Sequence, residues 1–277
     1  MESAFLFTLM TNDLHLAELA DRAGVDRIGI DLDRLGKRER QPAGYRMSEH
    51  SLADLERLCG VVQPGRLFAR TDPLHPGSAR QIEDLLARGV STLMLPMFRS
   101  ADEAAEFVDL VAGRAEVVLL VETVAAAFRI GSIARVTGVK EIMVGLNDLH
   151  LDARLDDRFE IVASDLMVAM ARAVAGCGVR FGFGGLGRCD DESLPVPSSL
   201  VYPQYARLNA SSAIMARSFH GPAPTDLAPA LRQARETLAR WAAEPPEVLE
   251  QSRQRLEHHL WSRTAPGLQR RNVALGR

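Results

Sequence analysis

The sequence is poor in the features that tie a chain to nucleic acid, a membrane or an oxidising compartment. Its net charge of −3 over 277 residues offers no basic excess for a phosphate backbone. The arginine-rich end, Arg263 to Arg277, is a local exception and reads as a frayed surface terminus. No apolar run approaches the ~20 residues needed to cross a bilayer. The first residues, MESAFLFTLMTN, carry neither a basic leader nor a small-residue cleavage site, so no secretory signal is expected. Three cysteines are an odd number without metal spacing, and Cys59 and Cys177, in apolar helical contexts, are expected to be reduced packing residues. Together these absences place the chain in the cytoplasm, with no nucleic acid and no membrane among its partners. A further absence narrows the fold: no Gly-x-Gly-x-x-Gly follows the first apolar run, as a dinucleotide site would require.

What the sequence does contain is an alternation. Short apolar or β-branched runs are each followed by an amphipathic stretch that closes on Gly. The runs are Ala4 to Leu9, DRIGIDLD, RLFAR, TLMLPMF, EVVLLVE, EIMVG, RFGFG and SAIMARSF. Ser51 and Ser100 stand where helix N-caps are needed. Eight strand–helix units with nearly continuous apolar strands predict a parallel sheet buried on both faces. Eight such units within about 240 residues fit a (β/α)8 TIM barrel better than an open doubly wound sheet. The barrel is assigned to residues 1–243. Residues 244–277 form a C-terminal element, with an extra helix over 246–260 that covers the barrel bottom or, in the preferred reading, is swapped onto a second subunit. GFGGLG after the seventh strand reads as a close-approach loop. The Pro-rich connection LPVPSSLVYPQYARLN reads as a fixed path whose Tyr202, Gln204 and Tyr205 line a pocket.

In such a barrel chemistry sits at the carboxyl ends of the strands. The second strand delivers Asp31 and Asp33 there, the third Arg70, the fourth Pro96, the fifth Glu122 and the sixth Asp148. The seventh brings Gly184 and Gly185, and the eighth Arg217. Several carboxylates on one semi-buried rim cannot all ionise unopposed. A hard divalent cation such as Mg²⁺ resolves that conflict with oxygen ligands alone. Simpler readings stay open for each residue: Glu122 compensating a helix dipole, Asp148 capping a turn, Arg70 pairing structurally with one of the acids. In GKRERQ, Gly36 to Gln41, residues Lys37, Arg38 and Arg40 either recognise an anionic group or form a solvated charge run. His50 and His150 are placed near the mouth as ordinary exposed histidines, and no general base is assigned.

These residues carry a resemblance. LLVETVAA and VGLNDLHL resemble the two metal-binding segments of the HpcH/HpaI aldolase and citrate lyase β-subunit superfamily. IGIDLDRLGKRERQ, RLFAR, LMLPMFRSADEA, FGFGGLGR and RLNASSAIMARSF agree with it in order and spacing, over roughly residues 4 to 220. The resemblance implies a phosphoenolpyruvate/pyruvate-type TIM barrel. By it, Glu122 and Asp148 ligate Mg²⁺, Mn²⁺ or another divalent cation, and Arg70 holds an oxygen of a pyruvate-like substrate. The N–H groups of Leu146, Asn147 and Asp148 receive its carboxylate, and Asp31 reaches the ion through water. Lys37 is added as an anion contact. The implied activity is a metal-dependent carbon–carbon lyase or aldolase working through a metal-stabilised enolate of a 2-oxo acid, in a homo-oligomer. The alternatives are a citrate lyase or malyl-CoA-lyase-like enzyme on a 3-hydroxyacyl-CoA, or a barrel that binds a carboxylate without turning it over. One departure matters: 2-oxo acid aldolases of the family carry Asp-Gly-Glu-His after the second strand. Here the run is Asp31-Leu32-Asp33-Arg34, with Arg34 at the position of the His.

Overall fold

A computed structural model describes residues 5–40, 48–221 and 227–274, with side chains as far as Arg263. Met1 to Ala4 of the first quoted segment, Gln41 of GKRERQ and the last three residues of the arginine-rich end lie outside the described residues. Eight strands form a closed, all-parallel barrel in chain order. They are β1 (Leu6–Met10), β2 (Arg27–Asp31), β3 (Leu67–Arg70), β4 (Thr92–Leu95), β5 (Glu116–Val121), β6 (Val139–Val144), β7 (Arg180–Leu186) and β8 (Ser212–Met215). β1 pairs with both β2 and β8, which closes the ring and leaves no sheet edge.

Strand periodicity decides what the barrel holds. Side chains alternate faces, so residues two apart share one. Ile28 and Ile30 of β2 face the helices and join the main apolar core, which leaves Arg27, Gly29 and Asp31 to the interior. An inner cluster of Phe68, Met94, Val118, Leu120 and Met143 fills the middle of the barrel. Below it lies a polar layer. Arg27 Nη1 donates to Glu141 Oε2 at 2.7 Å and the Ser212 hydroxyl donates to Glu141 Oε1 at 2.6 Å. Two residues above the inner cluster the same periodicity delivers Asp31, Arg70 and Glu122 to the mouth. A charged mouth, an apolar waist and a polar floor stack along one axis.

Some expectations change on the outer layer. The helix behind β5 is two short pieces, Val124–Phe128 and Ile130–Ile133. The Pro-rich connection contains a helix, Ser198–Arg207, with Pro203 inside it. Tyr202 and Tyr205 are buried by that helix, each 1% exposed, rather than facing the recesses at the mouth. The Tyr202 hydroxyl donates to Gly187 O at 2.9 Å, and the Tyr205 ring stacks on Phe183 at 3.9 Å. They serve the packing of the helix on β7. Cys59 is exposed at a helix end, so it is free but not a packing residue, whereas Cys177 is half-buried.

After the helix Leu227–Ala242 a Pro-Pro break leads into a last helix, Pro246–Ala274, longer than the sequence indicated. It packs along the flank of its own chain, against the helices Ser198–Arg207 and Phe159–Ala163. Ser252, Leu256 and Leu260 are buried, and Gln204 Nε2 donates to Ser252 Oγ at 3.3 Å. Among the described residues no helix is long and apolar enough to cross a membrane.

Candidate active site at the barrel mouth

The mouth is organised around Arg70. Asp31 and Arg70 are register partners on β2 and β3, which sets their side chains side by side. Arg70 Nε and Nη2 donate to Asp31 Oδ1 and Oδ2 at 2.8 and 2.7 Å, a bidentate fork. Its remaining edge, Nη1, reaches Glu122 Oε1 at 3.3 Å. Burial would raise the Asp31 pKa, but Arg70 and Lys37 overcome it and hold the carboxyl well below the usual range. Beneath Asp31, its own N–H donates to Nδ1 of His50 at 3.0 Å, and burial lowers the pKa of that ring. His50 is therefore a buried, neutral support for the β2 exit.

Glu122 is treated differently by its surroundings. Its side chain is 2% exposed, and its Oε2 is buried without a hydrogen-bond partner. Burial pushes its pKa up to about 8; Arg70 opposes this, while Asp148 and Asp33 reinforce it. Arg70 cannot win because its two best-aligned donors are already committed to Asp31. Gly145, at the β6 exit, explains how Asp148 comes so near. A Cβ at position 145 would stand 2.5 Å from Glu122 Cγ, so only glycine lets the β6 turn pass over this side chain. Directly after it the helix Leu146–Asp152 begins, with no side-chain N-cap and with Asp148 in its first turn.

A buried acid with a raised pKa opposes folding once it must ionise. Between its unfolded value near 4.5 and its folded value near 8, the native state holds a proton that the unfolded chain has lost. Stability of the metal-free protein should therefore fall as pH rises across that window, by about 1 kcal/mol per pH unit. Denaturant unfolding in the presence of a chelator checks this. The slope should be largely lost in Glu122→Gln, and equal slopes in the two proteins would remove Glu122 as its source.

The short helix Lys37–Arg40, in the connection after β2, turns Lys37 and part of Arg40 inward, while Arg38 and Glu39 remain a solvated face. Lys37 is buried, with Nζ 3.2 Å from both Asp31 Oδ2 and Asp33 Oδ2. Arg40 Nη2 donates to Asp33 Oδ1 and Oδ2 at 3.0 and 3.1 Å, and its Nε lies 3.9 Å from Asp148 Oδ1. Asp31, Lys37, Arg70, Glu122 and Asp148 are thus brought together, as are Asp33, expected at the rim without a ligand role, and Arg40, read as an anion contact or part of a solvated run. The Asp33–Lys37 spacing of one helical turn was the available signal for that pair. Burial of Asp33 had none.

Other expected residues fall outside this cluster. The Asn147 side chain is turned away, accepting from Arg158 Nη1 at 3.2 Å. Arg38 and Arg217 line a recess of about 1260 Å³ beside the cluster, together with Arg34 and His50. Arg34 is tied there by a hydrogen bond from Nη2 to the His50 carbonyl. His150 is buried rather than exposed, with Nδ1 3.0 Å from Leu146 O in its own helix.

Glu122 and Asp148 fit a divalent cation by their chemistry. Both are hard oxygen donors, Asp148 is close enough to raise the cost of ionising Glu122, and one Glu122 oxygen is buried without a hydrogen bond. Among the described residues no three His, Cys, Asp or Glu side chains converge as a metal cage. Any site here is of the two-carboxylate kind, with positions left for water or substrate.

The architecture and this rim define a class: a closed (β/α)8 barrel with an acid-rich, arginine-braced mouth. Solved structures sharing the fold are HpcH/HpaI aldolase/citrate lyase family proteins. One is such a protein from Burkholderia cenocepacia J2315, with 17% identity, a TM-score of 0.61, and 86% of this chain and 94% of that chain covered. Two more are from Mycobacterium tuberculosis. The citrate lyase β subunit complexed with oxaloacetate and magnesium has 20% identity and a TM-score of 0.59, covering 84% of this chain and 97% of that one. The protein CitE in complex with magnesium and pyruvate has 19% identity and a TM-score of 0.60, covering 88% and 99%. At these identities the likeness establishes the fold. No protein-family model and no curated protein matches the sequence.

Proposed function

We propose that the chain is a divalent-cation-dependent carbon–carbon lyase of the HpcH/HpaI type acting on a pyruvate-like 2-oxo acid. The observation that carries this is Glu122, a buried carboxyl with one oxygen lacking a hydrogen bond, set against Asp148 and braced by Arg70. The magnesium complexes of CitE with pyruvate and of the citrate lyase β subunit with oxaloacetate support the same reading.

Glu122 and Asp148 would hold the ion, Mg²⁺ or Mn²⁺. The ion supplies Lewis acidity, drawing electron density from a chelated 2-oxo acid. Arg70 offsets the negative charge that develops on the substrate oxygen as the carbon–carbon bond breaks, and it does so from a position already fixed by Asp31. The first-turn N–H groups of Leu146, Asn147 and Asp148 receive the substrate carboxylate, since no side chain caps that helix. Lys37 holds Asp31 and Asp33 in place, and so shapes the rim. Arg34, at the position of the family His, is engaged through Nη2 with the His50 carbonyl.

Calorimetry of metal-stripped, folded protein tests the reading. Mg²⁺ or Mn²⁺ should bind at a single site, more tightly when oxalate is present as a mimic of the pyruvate enolate. If neither ion is taken up, even alongside oxalate, the proposal is wrong.

A further inference from the structure

Of the helix Lys37–Arg40 only Lys37 has been given a part in the site just described, yet Arg40 is also fixed at the rim. Nη2 spans both oxygens of Asp33, itself buried, and Nη1 donates to Leu35 O at 2.7 Å. The third donor, Nε, is buried without a hydrogen bond and lies 3.9 Å from Asp148 Oδ1. That distance is too long for a hydrogen bond and short for a Coulombic contact. So one edge of the guanidinium is spent on structure, while the remaining N–H faces a carboxylate assigned above to the ion.

The charges at the mouth sharpen the point. Among the described residues, the ion pairs of this cluster set Asp31, Asp33, Glu122 and Asp148 against Lys37, Arg40 and Arg70, with Arg34 and Arg217 lining the recess beside them. A divalent ion added to that set leaves an excess of positive charge beside Arg40. An anion arriving with the ion removes the excess and gives the Nε–H the acceptor it lacks.

We propose that Arg40 is an internal counter-ion that competes with the divalent cation for Asp148 and, through its buried Nε–H, contacts the anionic substrate. Cation and substrate then bind cooperatively, and the enzyme selects substrates with an anionic group beside the chelating oxygens. The inference rests on the placement of the ion at Glu122 and Asp148.

The test titrates metal-free wild type, Arg40→Gln and Arg40→Lys with Mg²⁺ alone and then with Mg²⁺ at fixed oxalate. Arg40→Gln should bind Mg²⁺ alone about tenfold more tightly than wild type, because one opposing charge is gone. The tightening that oxalate brings should shrink by about the same factor. Arg40→Lys, which keeps the charge, should stay within about threefold of wild type for Mg²⁺ alone, an outcome that lost packing would not produce. Unchanged Mg²⁺ affinity in a folded Arg40→Gln protein overturns the role of Arg40 and leaves the metal site standing. Absence of Mg²⁺ binding in all three proteins overturns the metal site, and this inference with it. A further measurement needs only wild type: the Arg40 Nε–H resonance should shift on adding Mg²⁺, and an unmoved resonance counts against the proposal even if the variants do not fold.

Discussion

Replacing Glu122 with Gln is expected to abolish deuterium exchange into the methyl group of pyruvate, by at least about a thousandfold. Exchange in D₂O with Mg²⁺ isolates the proton-transfer half of the chemistry and needs no knowledge of the electrophile. Gln keeps the shape and can still accept from Arg70, but it offers the ion a neutral amide in place of a carboxylate. It also removes the acid whose ionisation burial resists. The same variant should therefore be more stable than wild type at pH 8 without metal, even as it loses exchange. Opposite signs for stability and turnover are the mark of a group held at an energetic cost for its chemistry. Full exchange in folded Glu122→Gln would remove this residue from the reaction. Tight oxalate binding by wild type, with neither exchange nor turnover of an acyl-CoA substrate, would favour a barrel that only binds carboxylates.

Much of this was legible in the sequence because strands write their facing into it. Once RIGID, LFAR and EVVLLVE are taken as strands of one barrel, period-two alternation brings Asp31, Arg70 and Glu122 to the same rim. Gly145 was legible as a strand exit, though the reason for it, the passage over Glu122 Cγ, needs coordinates. What stayed hidden belongs to side chains that choose among equivalent partners. The run GKRERQ reads equally as a solvated face or an anion contact. Only the inward turn of Lys37–Arg40 shows that Lys37 and Arg40 are consumed by Asp31 and Asp33. The same holds for His50, whose Nδ1 accepts from a β2 amide 19 residues away in sequence. Tyr202 and Tyr205 were misplaced because the prolines hid a helix: Pro197 precedes its start and Pro203 is tolerated within it.

Replacing Arg70 with Met should cost about 3–5 kcal/mol of stability at neutral pH, the usual result of removing one member of a buried ion pair. Met is apolar and of similar reach, so lost volume is a minor part of the effect. The main part is electrostatic: Asp31 keeps Lys37 but loses its bidentate partner, and Glu122 loses its nearest cation. For a chain of this size the thermal midpoint should fall by roughly 10 °C. The sign of the pH dependence follows from Asp31. Its folded pKa lies below its unfolded value, so its stabilising contribution is complete above about pH 4 and is lost as pH falls through the folded value. The gap between wild type and Arg70→Met should therefore be widest at neutral pH and narrow in acid, where the stranded carboxyl of the variant takes up a proton. Combining Arg70→Met with Asp31→Asn should cost less than the sum of the two single changes, because the second removes the charge that the first left unpaired. A gap that does not narrow as pH is taken below about 4, together with additive single costs, would mean that Arg70 contributes packing rather than charge. In that case its place beside Glu122 could not be read as preorganisation for an oxyanion.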